Sequence, residues 1–272
     1  MHTIYITNEV RIDTYSTRNH LMSLWYFCLF MAQLIQLGSY FLILHQITSK
    51  KSVAGLSCDF TLLSWLSSIS ASGSGLAYQY LERIRSQYSI RYPVYKDIHT
   101  SIAISMIDLV SLIVTSMMLF HQFVTYRKSI IGDDWISLPI KVLVLGQAAF
   151  FLWFVSLFTR GRATINELDL TDCAWTIGTI CFGIRLISQV SNNFWIRYFR
   201  PHRKFLLYQS ISMALAIGGW VISRHMNIRW HQMPANVMSQ FVLGPNVICL
   251  LVLSIQAYRS GKLRMYLPIG GH

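Results

Sequence analysis

The sequence predicts an all-α polytopic membrane protein with seven transmembrane helices. Hydrophobic residues make up 53% of the 272 residues and charged residues only 12%, whereas soluble chains carry roughly 25% charged residues. Apolar windows of about 20 residues, each long enough to cross about 30 Å of hydrocarbon, recur along the chain. Short connectors between them carry most of the charge. A large aqueous catalytic domain is excluded, because too few polar residues remain to cover one.

The seven predicted spans alternate with connectors rich in lysine and arginine. In order they are Leu21–Leu44, Leu56–Tyr78, Ser101–Phe123, Trp135–Phe158, Asp172–Phe194, Phe205–Ser223 and Gln240–Tyr258. The segment before the first span is polar and has no basic start followed by an apolar core and a cleavage site, so no cleaved signal peptide is predicted. We therefore expect the first span to act as the insertion signal.

The second and third spans carry polar features that an isolated membrane helix would not tolerate. Ser57 is a plausible N-cap for the second span, and Asp59 in its first turn suits the helix dipole. The small-residue run Ser67–Gly75 favours close helix packing over a nucleophilic role. Asp108 lies deep in the third span, where a carboxylate is costly.

The fourth and fifth spans each contain one basic residue. Lys141 lies near a span start and can extend to the interface. Arg185 lies deeper, and with Ser188, Gln189 and Asn192 it occupies positions i, i+3, i+4 and i+7 of one helical face. Such a stripe should face a cavity or the bundle interior. A solute site and a structural hydrogen-bond network between helices are both open at this point.

Charge and cysteine content restrict the function classes further. Lys and Arg number 23 against 11 acidic residues, a net charge of +12, but basic residues placed in tails, connectors and helix ends are typical of contact with lipid headgroups rather than nucleic acid. The two sides of the membrane receive ten and eleven of them, so the positive-inside rule leaves the orientation undecided. The five cysteines lie in or at apolar spans, which predicts neither disulfides nor a metal site. Since soluble-enzyme motifs are also absent, we expect no catalytic residues and no cofactor.

One connector carries a family resemblance. Lys50–Phe60 reads Lys-Lys-Ser-Val-Ala-Gly-Leu-Ser-Cys-Asp-Phe and resembles the cystinosin family of PQ-loop transporters, in the SWEET-like superfamily, which have a basic connector followed by K-S-V-x-G-L-S-x-D-F. Gln122–Tyr126 looks like the family's Q-x-x-x-Y, Arg185–Asn193 looks like its K-Y-F-P-Q-x-x-x-N, and Gly218-Gly219 match its paired glycines. The chain resembles a divergent, fungal-type member.

The chain departs from the family pattern at several functional positions. Leu42-Ile43 replace the first Pro-Gln, and the second survives as Ser188-Gln189, where the resemblance implies a hinge. The family's asparagine in the second helix falls at Ser64, and its proton-coupling acid falls at Leu215.

The resemblance still implies a set of site residues. The solute-binding residues carried over are Arg185, Gln189, Asn193 and Ser64. Because the family's coupling acid is absent, the remaining candidates for proton coupling are Asp59, Asp108 and Asp172.

The resemblance also implies a three-plus-one-plus-three arrangement of helices in parallel repeats, with the solute near the membrane midplane between them. The predicted divisions are a polar tail 1–20, a first repeat 21–126, a linker helix with flanking loops 127–166, a second repeat 167–259 and a C-terminal tail 260–272. In the family's orientation the N-terminus is luminal and the C-terminus cytosolic.

The C-terminal tail contains a further short pattern. Tyr266-Leu267-Pro268-Ile269 fits Y-x-x-Φ, a tyrosine-based sorting signal that lysosomal members of the family carry. Tyr266 and Ile269 would then contact a clathrin adaptor.

The expected function is export of cystine or a related amino acid from the vacuole, lysosome or endosome to the cytosol, by alternating access and down a proton gradient. The alternative is a non-transporting seven-helix receptor or membrane-trafficking scaffold. The loss of the first Pro-Gln and of the coupling acid would suit that alternative, and a tolerated Arg185→Ala would support it.

Overall fold

The computed structural model describes residues 2–93, 102–130, 136–161, 165–196, 203–225, 235–236 and 240–266. These residues form helices and no strand. The eight α-helices are α1 His2–Lys50, α2 Cys58–Tyr80, α3 Glu82–Arg91, α4 Ile102–Phe120, α5 Leu138–Thr159, α6 Glu167–Ile196, α7 Arg203–His225 and α8 Gln240–Tyr266. A π-helical turn, His121–Thr125, extends α4, and a short 3-10 turn, Arg127–Ser129, follows it.

The all-α membrane architecture is confirmed, but the predicted count of seven apolar spans is not reached. Six helices in the described ranges are long and apolar enough to cross a membrane: α4 to α8 and the His20–Lys50 part of α1. The exception is α2, which occupies the predicted second span. It has 23 residues, but its serines and glycines make it too polar to qualify. Helix α1 also begins earlier than expected, since it runs on from the predicted polar tail.

Local chemistry explains where the helices at the first connector begin and end. Phe60 N–H donates to the Ser57 hydroxyl over 3.3 Å, so the predicted N-cap of α2 is confirmed. After α1 ends, the connector turns at Lys51 and again at Gly55, where φ is 82°, a conformation that favours glycine. Ser137 precedes α5, and its N–H donates to Asp59 Oδ1 over 2.9 Å.

The six helices α1, α2, α4, α6, α7 and α8 form two groups of three. In the first group α4 packs against both α1 and α2, and in the second α8 packs against both α6 and α7. The most extensive contacts run between the groups, and they are crossed: α1 packs on α7, and α2 packs on α6. Helix α5 makes its main contact with α6 and has no buried residue.

The bundle has two ends that differ in character. The loop end is defined by the connector Lys51–Ser57, and the tyrosine end by Tyr78, Tyr88 and Tyr92 around α3. Helices α1 and α6 both run from the tyrosine end to the loop end, because the start of α6 contacts Tyr78 whereas its later part contacts Gly55. The first helices of the two groups are therefore parallel.

Helix α2 packs between α4 and α6, and its small residues allow close contact with α6. A Cβ atom added to Gly178 would lie 2.4 Å from Ser70 Cβ and 3.3 Å from the Ser67 carbonyl oxygen. The hydroxyl of Ser72 donates to the Asp108 backbone carbonyl over 2.8 Å. The close packing predicted for the small-residue run is thus confirmed.

Candidate functional site

A cavity of about 160 Å³ lies between the two helix groups. Helices α1, α2, α4, α6, α7 and α8 all contribute to its wall, and Tyr78, Trp175 and Asn236 place it in the half of the bundle nearer the tyrosine end. An engineered cavity of about 150 Å³ in a soluble protein holds benzene. The volume therefore suits a small solute.

Three oxygen atoms, each in a side chain of a residue that lines the cavity, are buried and have no hydrogen-bond partner. They are Gln33 Oε1 and Gln36 Oε1 from α1 and Asp108 Oδ2 from α4. Asp108 is only 8% exposed, and in the described part of the chain no basic side chain forms an ion pair with it. Because buried polar atoms are nearly always satisfied, these oxygens mark the part of the cavity best suited to a polar ligand.

Arg185 lies one layer behind this cavity and is completely buried. It donates to the hydroxyl of Tyr40 and, over 3.2 Å, to Gln209 Oε1, and its guanidinium carbon is 3.9 Å from the centroid of the Phe182 ring. Tyr40 and Phe182 both line the cavity. No carboxylate within the described ranges pairs with Arg185, so its charge is balanced only by neutral dipoles and π-electrons.

Gln189 lies outside the cavity lining and binds the connector at the loop end. Its amide nitrogen donates to the Gly55 carbonyl over 3.1 Å, and its oxygen accepts from Ser57 N–H over 3.1 Å. Asn192, a turn of helix further on, donates to the same Gly55 carbonyl over 3.3 Å. We call this set the amide clamp; it fixes the connector to α6.

Asn193 extends the amide clamp towards α8. Its oxygen accepts from Gln189 Nε2 over 2.8 Å, and its nitrogen donates to Gln256 Oε1 over 3.3 Å. In this structure Gln189 and Asn193 are bonded to protein, and their proposed role as solute ligands stays a prediction.

The first helix group holds the same connector from the other side. Gln122 Nε2 donates to the Leu56 carbonyl over 3.1 Å, and Val53 N–H donates to the Ser129 hydroxyl over 2.9 Å. The segment that carries the family resemblance is therefore held by residues of both groups.

The positions that depart from the family pattern lie within continuous helices. Ser188 is half-buried in the middle of α6, which has no break there, and Ile43 packs in the apolar core within α1. Ser64 is fully buried with an unpartnered hydroxyl, but it does not line the cavity. Leu215 packs against the apolar core.

The three candidate acids have different surroundings. Asp59 accepts from Ser137 N–H and so stabilises the start of α5. Asp172 accepts from Tyr78 over 2.5 Å and from Tyr92 over 3.4 Å, and it lies 3.7 Å from Arg91. Burial, followed by the charge of Asp172, raises the pKa of Tyr92, which keeps that phenol a donor.

Ion pairs and aromatic rings hold the tyrosine end together. Arg91 pairs with Asp169 over 2.6 Å, and Arg83 pairs with Glu167 over 3.4 Å. Below these exposed pairs, the rings of Tyr88 and Tyr92 lie 4.9 Å apart. Helix α3 is thereby attached to the start of α6.

Sequence reasoning missed Gln33, Gln36 and Tyr40, which contribute to the cavity wall. They lie at positions i, i+3 and i+7 of one face of α1. The polar-stripe test that selected Arg185 would have selected this set as well. Gln209, the partner of Arg185, is the only amide side chain of its predicted span, Phe205–Ser223, and gives no comparable signal.

The predicted sorting signal in the C-terminal tail lies partly outside the described residues. Ile269 lies outside the described residues, and of Tyr266 only its place at the end of α8 is described. The five cysteines are free, and the described residues contain no group of three or more side chains able to hold a metal ion.

Comparison with known proteins adds no family: no family model matches the chain, and no curated protein matches it. The resemblance to cystinosin-type transporters therefore depends on the residues quoted for it.

Proposed function

We propose that this protein is a cystinosin-like transporter that moves a small amino acid across a membrane by alternating access. One observation carries the proposal. A cavity between two helix groups combines an unpaired buried carboxylate, Asp108, with a buried guanidinium one layer behind it, Arg185. Because buried charges without partners are costly, a solute that brings both an ammonium and a carboxylate would relieve both.

The fold supports this proposal through its crossed packing. We infer that α2 crosses the membrane with the six apolar helices, which makes seven. The first group is then α1, α2 and α4, the second is α6, α7 and α8, and α5 is the linker of a three-plus-one-plus-three arrangement. Parallel repeats of this kind place the solute between them.

The solute carboxylate would bind at Arg185. Its guanidinium has no carboxylate partner among the described residues, and its Nε atom has no hydrogen-bond partner. Hydrogen bonds between ionised groups are about twice as strong as neutral ones, so a carboxylate would displace Tyr40 from Arg185. Gln189, Asn193 and Ser64 would contact the solute only after the amide clamp opens.

Proton coupling would depend on Asp108 rather than on Asp59 or Asp172. The carboxylate of Asp59 binds a helix start, and that of Asp172 binds two tyrosines and lies near Arg91. Of the three acids, only Asp108 lines the cavity, and one of its oxygens has no hydrogen-bond partner. Protonation would neutralise this carboxylate, so that the proton and the solute would be held in the same cavity while the helix groups move around it.

The proposed compartment is a vacuolar, lysosomal or endosomal membrane, with the N-terminus luminal and the C-terminus cytosolic. The tyrosine end then faces the lumen, and the amide clamp closes the cytosolic end. A tagged copy should lose this location when Tyr266→Ala removes the sorting signal and with it the contact with a clathrin adaptor. A copy of Arg264→Ala, in the same tail, is the matched control, and an unchanged location of Tyr266→Ala would refute the signal.

Uptake of radiolabelled cystine and of single amino acids into reconstituted vesicles, with and without a proton gradient, tests the function. We expect uptake of at least one of them, and faster uptake when the side facing the tyrosine end is acidic. The small cavity favours a compact amino acid over cystine. Absence of uptake of every amino acid under both conditions would refute the proposal.

The second candidate is a receptor or membrane-trafficking scaffold that does not transport. Leu215 favours it, because an apolar side chain packed in the core stands where the family has its coupling acid. Such a protein should tolerate Arg185→Ala and Gln189→Ala in its partner binding but depend on its exposed connectors.

A further inference from the structure

The polar wall of the cavity consists of acceptors. Gln33, Gln36 and Asp108 all line one cavity, and each has a buried side-chain oxygen without a hydrogen-bond partner: Gln33 Oε1, Gln36 Oε1 and Asp108 Oδ2. An ammonium has three N–H donors and no acceptor. The three oxygens therefore match an ammonium in the type and the number of their hydrogen bonds.

The backbone places the three residues on two neighbouring helices of the cavity wall. Gln33 and Gln36 lie one helical turn apart on α1, and α1 packs against α4, which carries Asp108. The amide nitrogen of Gln36 already donates to the Ser39 hydroxyl over 3.2 Å, so the oxygen is the part of that amide left for a ligand. Across from Asp108, α2 presents Gly75, whose added Cβ would lie 3.8 Å from Asp108 Oδ2.

The electrostatics of the wall favour a cation. Asp108 is the only ionisable acid or base among the described lining residues apart from the tyrosines. The nearest buried cation, Arg185, is separated from the cavity by Tyr40 and Phe182, whose rings it faces. The rings of Tyr78 and Trp175 complete the lining, and aromatic faces attract cations.

We propose that Gln33, Gln36 and Asp108 form a binding subsite for a primary ammonium group. The assignment rests on the proposed function in one respect, because the ammonium would be that of the transported amino acid. It goes further in predicting that an amine without any carboxylate binds to this wall by itself.

The subsite is compatible with a proton on Asp108. A protonated carboxyl group has one O–H donor and keeps acceptor capacity. It can donate to one of the glutamine oxygens and still accept from the ammonium. The proton and the amine are then held together rather than in competition.

The subsite can be tested with two small ligands on the full chain in lipid nanodiscs. Propylamine carries only the ammonium group, and propionate carries only the carboxylate. Binding is measured as protection against thermal unfolding. We expect propylamine to protect the wild type, and Asp108→Asn and Gln36→Leu each to weaken its binding about tenfold or more, because charge-assisted bonds are lost. Propionate protection should be unchanged in both variants, which also shows that they are folded.

Asp59→Asn is the matched control, since it removes an acid that does not line the cavity, and it should bind propylamine like the wild type. Absence of protection by propylamine at any concentration, or equal binding by wild type, Asp108→Asn and Gln36→Leu, would overturn the subsite. The proposed function fails separately. If the protein takes up amino acids but does not bind propylamine, the subsite is refuted and the transport function stands. If it binds propylamine through Asp108 but transports no amino acid, the transport function is refuted and the subsite stands.

Discussion

The two ends of the bundle are closed by different kinds of interaction. At the loop end, buried side-chain amides bind backbone groups of the Lys51–Ser57 connector, with Gln189 at the centre. At the tyrosine end, Arg83 and Arg91 make partly exposed ion pairs above a layer of tyrosine rings. The cavity lies beneath the second type of closure.

The difference predicts which end opens at lower cost. Exposed ion pairs are worth about 0–1 kcal/mol each, whereas a buried backbone group that loses its partner costs about 1–3 kcal/mol. We therefore expect the two exposed ion pairs of the tyrosine end to contribute less to its closure than the amide clamp contributes to the closure of the loop end. Four predictions test this comparison, in order of decreasing effect.

Arg185→Ala should have the largest effect, because it removes the only buried guanidinium in the described bundle and the proposed carboxylate ligand. We expect amino-acid uptake to fall by about a hundredfold or more, since a hydrogen-bonded charge contributes about 1.5–3 kcal/mol and its attraction is weakly screened at this depth. Uptake is measured in reconstituted vesicles, with the elution profile as the test of folding. Lys141→Ala, a partly exposed basic residue of α5, is the control, and equal uptake by both variants would contradict the assignment.

Gln189→Ala should open the loop end, because it leaves Gly55 O and Ser57 N–H with fewer partners. At about 1–3 kcal/mol for each unsatisfied group, amide hydrogen exchange at Ser57 should accelerate about tenfold or more. The control is Ser188→Ala, the preceding residue, which makes no contact with the connector among the described hydrogen bonds. Unchanged exchange in Gln189→Ala would show that the amide clamp does not close this end.

Asp108→Asn should remove the effect of the proton gradient while leaving exchange at the loop end unchanged. The gradient-driven part of uptake should fall about tenfold, because an amide in place of the carboxyl does not bind a proton at physiological pH. Uptake with and without an acid compartment at the tyrosine end measures it, beside Asp59→Asn. A gradient effect that survives in Asp108→Asn and is lost in Asp59→Asn would move the coupling site to the start of α2.

Arg83→Ala should have the smallest effect, since its side chain is 84% exposed in the pair with Glu167. The melting temperature should change little, by the equivalent of at most about 1 kcal/mol. Arg91→Ala should cost more, because Arg91 is less exposed and lies near both Asp169 and Asp172. A larger loss of stability in Arg83→Ala than in Gln189→Ala would reverse the comparison of the two ends.

Much of the fold could be predicted, because a membrane helix requires a continuous apolar segment that is visible in the sequence. The apolar windows, the Ser57 cap and the close approach along Ser67–Gly75 are local properties. Helix α3 was missed because it is short and polar, and is held by Asp169 and Asp172. The difference at α2 has a related cause. Helices α4 and α6 pack against its polar residues. A hydropathy average is calculated from the sequence of α2 alone and does not include these neighbouring helices.

The candidate site was less predictable, because it depends on which helices meet. Arg185, Gln189 and Asn193 lie on one stretch of α6, yet their partners differ. Arg185 is near the cavity, Gln189 binds the connector at the loop end, and Asn193 binds Gln189 and Gln256. The packing of α1 on α7 and of α2 on α6 determines which partners each of these residues meets. Gln33 and Gln36 gain significance only when α4 places Asp108 on the same cavity wall.

The crossed packing of the two groups also determines when during synthesis the helices can assemble. In the proposed seven-helix arrangement, α2 enters the bilayer during synthesis long before α6, its main partner, leaves the ribosome. Until then one face of its serines, including Ser67 and Ser70, is exposed to lipid or to the insertion machinery. Chains that stop before Glu167 should therefore be held by chaperones or degraded, and the final structure should form only when the second half of the protein has been inserted.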